Sequence, residues 1–213
     1  MINLSAQEVC MPQKFLAHAI FLLVLMVIIG CGGDAVKVPK FNPSAIAKAA
    51  MEEYDINKDG FIDKEELKKA PSLKDAETVI DTNKDGKLDQ EEISERIAFH
   101  LKAGFGLMSF SCNVSRFGQP LADADVVLEP EKFMGELLKP CRGKTDPLGV
   151  VNFKAEGNAD FGTPPGFYKI KVTSQGSPAV PKKFNEETIL GKEIAADRLG
   201  RGGDTYRIQI TAK

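Results

Sequence analysis

Two acidic segments of twelve residues each constrain this chain more than any other feature of its sequence. They read DINKDGFIDKEE over residues 55–66 and DTNKDGKLDQEE over residues 81–92. Each alternates acidic or amide side chains around one central glycine, and the second repeats the first almost position for position. A single acidic run is usually a solvated loop. A matched pair of this length predicts two equivalent binding loops instead.

The alternation matches the EF-hand calcium loop, which takes ligands from positions 1, 3, 5, 7, 9 and 12 and needs glycine at position 6. A cation of this size prefers six to eight oxygen ligands at about 2.3–2.6 Å, and a long glutamate at position 12 supplies two of them. Magnesium resists such a multidentate protein cage. The sequence therefore predicts two Ca²⁺ sites.

The predicted ligands follow directly from these loop positions. In the first loop they are Asp55, Asn57, Asp59, the backbone carbonyl of Phe61, and Glu66, with a water-mediated contribution from Asp63. In the second loop they are Asp81, Asn83, Asp85, the backbone carbonyl of Lys87, and Glu92, with a water-mediated contribution from Asp89. Ile62 and Leu88 occupy position 8, where paired loops are joined by a short β-bridge.

The two loops are unusually close together for a signalling EF-hand pair. Their first aspartates, Asp55 and Asp81, are 26 residues apart, which leaves room only for two short helices broken at Pro71. Short helices have little leverage to open a methionine-lined target groove. This spacing favours a structural role for calcium over a sensing role.

The N-terminal region carries an apolar run of 12 residues, AIFLLVLMVIIG, over residues 19–30. Spanning a bilayer takes about 20 apolar residues, so the run fits the core of a signal peptide better than a transmembrane helix. A buried core helix is the less favoured alternative. The run ends at Cys31 and resembles a bacterial lipobox, although a residue smaller than Ile29 is commoner at that position. The long lead-in before Lys14 leaves both Met1 and Met11 as candidate start sites.

The lipobox resemblance implies that residues 1–30 are a signal peptide and that residues 31–41 are a tether. Cys31 would carry diacylglycerol and anchor the protein to a membrane without spanning it. No aspartate directly follows Cys31. We therefore expect an exported protein that is lipid-anchored to the bacterial cell envelope, with the outer membrane or the periplasmic face favoured.

The periodicity of the apolar residues changes from 3.6 to 2 at residue 107, after Gly104-Phe105-Gly106. Residues 42–103 predict helices and the two loops, and residues 107–213 predict short strands separated by Gly and Pro turns. Inward-facing apolar residues alternate with polar ones, as in Met108, Phe110, Cys112 and Val114. The fold class is therefore α+β with two domains, the second an antiparallel β-sandwich.

Three stretches of the second half complete a resemblance to a known architecture: GQPLADADVVLEPE, TDPLGVVNF and PPGFYKIKV. Together with the lipobox and the loops, they resemble bacterial exported lipoproteins in which a compact EF-hand pair precedes a carboxypeptidase regulatory-like (transthyretin-like) domain. This resemblance implies a seven-stranded sandwich with a stabilising or adhesive role and no catalytic activity.

Two cysteines would remain outside the signal and anchor, Cys112 and Cys141. In an oxidising compartment they form a possible disulfide, which would stabilise the fold by roughly 3 kcal/mol. Two buried thiols are the alternative.

The sequence contains no recognisable set of catalytic residues, so we expect no enzymatic activity. After removal of residues 1–30 the remaining histidine is His100, no Ser/His/Asp or Cys/His set can be assembled around it, and zinc-ligand spacing is absent. The net charge of −2 argues against a nucleic-acid surface.

Three hypotheses follow for the function. The first is a non-enzymatic, calcium-binding envelope lipoprotein whose sandwich contacts an unidentified envelope protein or polymer. The second is a calcium-responsive binding module, and the third is an enzyme with a site on the sandwich loops.

Overall fold

Three helices and two sheets form in the part of the chain that the computed structural model describes, which is residues 42–103, 106–175, 179–199 and 204–211. The predicted signal peptide, the tether and Cys31 lie outside these residues. Within the described ranges, none of the helices has the length and apolar character needed to cross a bilayer. We refer to residues 42–103 as the helical segment and to residues 106–211 as the β-sheet segment.

Two of the three helices begin at a proline. Helix α1 covers Pro43–Tyr54, and the Asn42 side chain accepts a hydrogen bond from the Ala45 amide at its start. Helix α2 covers Pro71–Ile80 and follows a short 3₁₀ turn, Glu66–Lys68. Helix α3 covers Gln90–Ala103. Proline suits the first helical position because its missing amide hydrogen would have no partner there. Where two short helices broken at Pro71 were predicted, the structure has one 3₁₀ turn and one short α-helix that begins at Pro71.

The two loops pair with one another at their eighth positions. Ile62 and Leu88 form an antiparallel bridge in which the Ile62 amide donates to the Leu88 carbonyl at 2.8 Å and the Leu88 amide donates back at 3.1 Å. Both side chains are completely buried. The predicted bridge is confirmed, and it holds the two loops back to back.

Nine strands form two sheets among the described residues. They are β1 Phe110–Arg116, β2 Gln119–Pro120, β3 Asp125–Pro130, β4 Cys141–Lys144, β5 Val150–Asn152, β6 Lys154–Ala155, β7 Gly166–Thr173, β8 Gly191–Ile194 and β9 Asp204–Ile210. In the first sheet β1 pairs with β2, β5 and β9, and the second sheet has the order β6-β4-β3-β7-β8. Two 3₁₀ turns, Lys132–Leu137 and Lys182–Phe184, interrupt the connections.

The α+β class is confirmed, but the strand count and the purely antiparallel arrangement are not. Nine strands replace the predicted seven, and β9 runs parallel to β1 from Phe110↔Asp204 to Arg116↔Ile210. Strands β2 and β6 are two residues long, too short to produce an alternating pattern. The parallel pair joins the first and last strands of the β-sheet segment. Alternation within a short stretch of sequence does not indicate which distant strand is its partner.

The predicted inward faces are buried as expected. Strand β1 buries Phe110, Cys112 and Val114, and the Phe110 ring stacks on Phe153 at 5.8 Å between ring centroids. The apolar side chains of the helices and of both sheets belong to one continuous core. The inner positions of the strands therefore also form the surface on which the helices pack.

The possible disulfide between Cys112 and Cys141 is not formed in this structure, where both residues are buried thiols. Cys112 lies on β1 in the first sheet and Cys141 on β4 in the second. The Cys141 thiol contacts the Lys139 carbonyl at 3.7 Å, and burial raises the pKa of this thiol to about 11. The alternative of two buried thiols describes this structure.

Helix α2 packs directly on strand β8 through Gly191. A Cβ atom at this position would lie 2.3 Å from the Ser72 amide nitrogen and 2.4 Å from the Pro71 carbonyl carbon. Contacts this short are not tolerated, so only glycine allows the helix to approach so closely. The start of α2, between the two acidic loops, is thereby fixed against the second sheet.

Candidate calcium-binding site

Both acidic loops have the same backbone conformation. Gly60 and Gly86, at position 6, have φ angles of 90° and 80°. Lys58 and Lys84, at position 4, have φ angles of 59° and 62°, which are uncommon for residues with a Cβ atom. The glycines were predicted from the loop template, whereas nothing in a lysine side chain indicates a left-handed conformation. Two left-handed residues per loop curve the chain around a central point.

The side chains at positions 1, 3 and 5 turn into the first loop. The Asp59 amide donates to Asp55 Oδ1 at 3.2 Å and to Asn57 Oδ1 at 2.8 Å, so these two ligand oxygens lie near the same nitrogen atom. The Gly60 amide donates to Asp55 Oδ2 at 3.0 Å, and the Phe61 amide donates to Asp59 Oδ1 at 3.0 Å.

The second loop repeats this arrangement atom for atom. The Asp85 amide donates to Asp81 Oδ1 at 3.2 Å and to Asn83 Oδ1 at 2.8 Å. The Gly86 amide donates to Asp81 Oδ2 at 3.0 Å, and the Lys87 amide donates to Asp85 Oδ1 at 2.9 Å. The structure thus brings the predicted ligands at positions 1, 3 and 5 together in both loops.

The glutamates at position 12 close each loop from the other side. Glu66 Oε1 accepts from the amides of Ile56 and Asn57 at 2.8 and 3.2 Å, and Oε2 accepts from the Asp63 amide at 3.0 Å. Glu66 is 7% exposed. A carboxylate this shielded needs several donors or a cation to remain charged.

Glu92 occupies the equivalent position in the second loop. Its Oε1 accepts from the Thr82 amide at 3.0 Å, and its Oε2 accepts from the Asp89 amide at 3.2 Å. At position 9, Asp63 Oδ1 accepts from the Glu66 amide at 3.0 Å and Asp89 Oδ1 accepts from the Glu92 amide at 2.9 Å. The Asp63 and Asp89 side chains therefore accept hydrogen bonds at the start of the 3₁₀ turn and of helix α3, respectively. This second role agrees with calcium contact through a water molecule rather than directly.

The donor chemistry of these loops fits a hard divalent cation. Among the described residues, no group of three or more His, Cys, Asp or Glu side chains is already arranged to hold a metal ion. However, each carboxylate has about four lone-pair positions, so the loop hydrogen bonds leave acceptor capacity for a cation. In the first loop, Asp55, Asp59 and Glu66 would hold Ca²⁺ together with Asn57 and the Phe61 carbonyl. The equivalent residues would do so in the second loop.

Helix α3 connects the second loop to the β-sheet segment through one line of side chains. Glu92, Arg96 and His100 are four residues apart, so they lie on the same face of the helix. Arg96 Nε and Nη2 donate to the two carboxylate oxygens of Glu193 at 2.5 and 3.0 Å, and Arg96 Nη1 donates to Asp197 at 2.8 Å. His100 Nε2 lies 2.9 Å from Glu193 Oε1.

Glu193, on strand β8, has no solvent-exposed surface. Burial alone would raise the pKa of this carboxyl, but the hydrogen bonds and charges of His100 and Arg96 outweigh burial and hold the pKa below its ordinary value. Hydrogen bonding to Arg96 likewise lowers the pKa of Asp197. The Glu193 and Asp197 carboxylates are therefore both ionised at neutral pH.

Helix α2 contributes a further acid to the same cluster. Asp75 accepts from Arg198 Nη1 at 2.8 Å and from the Glu193 amide at 3.1 Å, and Lys192 Nζ lies 3.4 Å away. Arg198 also reaches Glu193 at 3.1 Å. We call Asp75, Arg96, His100, Lys192, Glu193, Asp197 and Arg198 the Glu193 cluster.

A second buried glutamate joins the first loop to the β-sheet segment. Glu131, which is 1% exposed, accepts from Tyr54 Oη at 2.8 Å, from Ser72 Oγ at 2.7 Å and from Lys169 Nζ at 3.1 Å. Tyr54 directly precedes the first ligand, Asp55. Burial, and after it the charge of Glu131, raises the pKa of Tyr54 and keeps its hydroxyl protonated as a donor.

Sequence reasoning missed both buried glutamates. His100, around which the sequence showed no catalytic set, is buried and bonded to Glu193. The four-residue spacing of Glu92, Arg96 and His100 could have indicated one functional helix face. Nothing near Glu131 or Glu193 in the sequence marks them as partners of residues more than fifty positions away.

Comparisons with known families agree with the two loops. A family model described as an EF hand domain matches residues 46–73, and another described as EF hand matches residues 78–97. The two matches enclose the two acidic loops and indicate calcium binding, so the predictions of an EF-hand pair and of a calcium-binding protein are confirmed. Neither the curated proteins nor the solved structures that were searched gave a match. The number of calcium sites and their individual ligands stay predictions.

Substitution of the position-12 glutamates should remove the calcium sites one at a time. We expect two sites in the unaltered protein, and one site of unchanged affinity in Glu66→Gln or Glu92→Gln. The altered loop should lose at least about tenfold in affinity, because a charged bidentate ligand becomes neutral. Isothermal titration calorimetry measures both quantities.

Glu65→Gln and Glu91→Gln are matched neighbouring controls and should bind like the unaltered protein. A stoichiometry of one before substitution would refute the two-site assignment.

The Glu193 cluster should make the free energy of unfolding decrease as the pH falls into the acid range. The folded-state pKa of Glu193 is lowered from 4.5, so its contribution is complete above that value and is lost as pH falls through the folded pKa. Glu193→Gln should cost about 3 kcal/mol at neutral pH, because Arg96 loses its buried charged partner and keeps only the more exposed Asp197. The difference in unfolding free energy between this variant and the unaltered protein should shrink as pH falls below 4.5.

Urea unfolding at several pH values tests this expectation. Glu156→Gln is the matched control, because Glu156 pairs with Arg142 at 2.8 Å on the exposed surface. We expect that control to cost less than about 1 kcal/mol. Equal effects of the two substitutions would show that the buried pair contributes no more than a surface pair.

Proposed function

We propose that this protein is a non-enzymatic calcium-binding lipoprotein of the bacterial cell envelope, in which calcium is chiefly structural and the β-sheet segment contacts a partner. The observation that carries this proposal is the attachment of both loops to the β-sheet segment. Tyr54, next to the first loop, bonds to Glu131, and Arg96, one turn after Glu92, bonds to Glu193. Calcium in the loops would therefore stabilise the surface on which the sheets pack.

The small size of the helical segment supports a structural role for the metal. About 60 residues rarely bury enough apolar surface to be stable alone, and small domains are often reinforced by a metal. In an exported setting calcium is near millimolar, so sites with dissociation constants of about 10⁻⁴–10⁻³ M would be filled permanently. Helix α2 has only 10 residues and is held at Gly191, which opposes the large helix rotation of a calcium sensor.

The architecture of the β-sheet segment supports an accessory interaction domain of the carboxypeptidase regulatory-like (transthyretin-like) class. The buried inner positions of both sheets agree with a sandwich, and the quoted sequence stretches of that class fall on β2–β3, on β5 with the turn before it, and on β7. His100 is 4% exposed and bonded to Glu193, which supports a structural role for this histidine. The partner would be an envelope protein or polymer.

A calcium-responsive binding module is the second candidate. The observation that favours it is the shared helix face of Glu92, Arg96 and His100, which leads from the second calcium loop to buried Glu193. Loss of calcium would alter the position of α3 and, through Arg96, the position of β8.

Calcium titration combined with thermal unfolding separates the two candidates. For the structural role we expect affinities of about 10⁻⁴–10⁻³ M and a single unfolding transition that moves to higher temperature with calcium. At a calcium concentration about 100 times the dissociation constant, each site should add about 2.7 kcal/mol to the free energy of unfolding. The Glu66→Gln/Glu92→Gln double variant and magnesium at the same concentration are the controls. Micromolar affinity together with calcium-dependent binding of a hydrophobic dye would favour the responsive module instead.

Lipid attachment at Cys31 has a direct test in a bacterial host. Metabolic labelling with radioactive palmitate should label the unaltered protein and leave Cys31→Ala unlabelled, because diacylglycerol is attached to that thiol. Cys10→Ala is the matched control and should be labelled normally. Labelling that persists in Cys31→Ala would refute the anchor.

A further inference from the structure

A cleft of about 580 Å³ lies where the helical segment meets the second sheet. Five lysines line it, Lys68, Lys69, Lys132, Lys169 and Lys171, against the three glutamates Glu129, Glu186 and Glu187, so the formal net charge of the lining is 5 − 3 = +2. The outer positions of β3 and β7 supply Glu129, Lys169 and Lys171, and the chain before β8 supplies residues 186–189. We call this region the lysine cleft.

Two of the five lysines have no carboxylate partner among the described residues, namely Lys69 and Lys132. The others are paired: Lys169 lies 3.1 Å from Glu131, Lys171 contacts Glu129, and Lys68 bonds to Glu65. Exposed ammonium groups that share one concave surface attract anions, because their fields add within the cleft. Lys69 and Lys132 are therefore the groups available to an anionic ligand.

The other lining groups narrow the chemical class of that ligand. Lysine acts as a hydrated point charge rather than a planar fork, so an open row of lysines suits several separated anionic groups better than one phosphate. Glu186, Glu187 and Thr188 add oxygen atoms that accept hydrogen bonds from hydroxyl groups. None of the residues that line the cleft is aromatic, which leaves no platform for stacked nucleobases.

We propose that the lysine cleft binds an acidic oligosaccharide, a ligand that carries both separated carboxylate groups and hydroxyl donors. The proposed function leaves the partner of the β-sheet segment unidentified. The lysine cleft assigns that partner a chemical class, an acidic oligosaccharide.

The cleft is connected to the first calcium loop through Lys69. This residue also lines a smaller cavity beside the loop, together with Asn57, Asp63 and Glu66. The Lys69 amide donates to the Glu66 carbonyl at 2.9 Å, so its backbone position follows that of a calcium ligand. Calcium in the first loop would fix Lys69 and add positive charge nearby. Calcium therefore strengthens binding in the cleft, a step that rests on the proposed function.

Fluorescence anisotropy with a hyaluronan hexasaccharide, labelled at its reducing end, tests the proposal on the full chain. We expect saturable binding that the Lys69→Gln/Lys132→Gln variant weakens by about tenfold, because each exposed ion pair contributes a small part of the affinity. The matched control is Lys74→Gln/Lys139→Gln, which removes two exposed lysines outside the cleft. It should stay within about twofold of the unaltered protein. Lys69→Arg/Lys132→Arg should restore binding if charge rather than folding is the cause.

Competition identifies the ligand class. Unlabelled hyaluronan hexasaccharide should displace the probe, whereas uncharged maltohexaose and hexathymidylate should not. Absence of binding, equal losses in the two glutamine variants, or equal displacement by hexathymidylate would each overturn the proposal.

Calcium dependence is measured on the same samples with and without a chelator, beside a calorimetric calcium titration. Weaker binding after chelation supports the link through Lys69, and unchanged binding overturns that link. If calcium binds to both loops but the hexasaccharide does not bind, the cleft proposal fails alone. If the hexasaccharide binds through Lys69 and Lys132 but calcium does not bind, the proposed function fails alone.

Discussion

Two buried carboxylates organise this protein. Glu131 and Glu193 have almost no contact with water, and an unpaired buried charge costs several kcal/mol, so each must be surrounded by donors. Several of those donors come from the helices that flank the acidic loops: Tyr54 and Ser72 for Glu131, and Arg96 with His100 for Glu193. The β-sheet segment therefore helps to set the position of the loops, because its two buried carboxylates need hydrogen-bond donors from the neighbouring helices.

This dependence changes how the metal sites contribute to stability. In an isolated EF-hand pair, calcium stabilises only the helices around it. Here Tyr54 stands directly before the first loop, and Arg96 follows Glu92 by one helical turn. The free energy of calcium binding is shared with the contacts of β8 and of the turn after β3, because these contacts require the same helix positions. We therefore expect calcium to stabilise both the helical segment and the β-sheet segment.

The sequence was most informative where a local pattern has one physical explanation. Glycine at position 6, alternating oxygen ligands and a glutamate at position 12 have few uses besides a calcium loop, and Pro71 marks a break between helical elements. The alternation of β1 predicted which residues face inward. All of these depend on neighbours within about a dozen positions.

Interactions between distant positions escaped prediction for the same reason. Glu131 and Glu193 look like surface acids in a charged sequence, and only the folded chain brings Tyr54 and Arg96 to them. Cys112 was expected to face inward and does, but the placement of Cys112 and Cys141 on different sheets was not visible in their spacing. The lysine cleft likewise combines residues from four separate stretches of chain.

The parallel pairing of β1 and β9 has a consequence for the order in which the protein folds. The first sheet needs its last strand beside its first, so it cannot be completed until nearly the whole chain is present. Pairings between distant segments slow folding, because a long loop must close before any contact compensates for the lost chain entropy. The helical segment, by contrast, is built from local contacts. The chain therefore has a slow closing step, and removal of residues 204–210 would leave one edge of β1 unpaired.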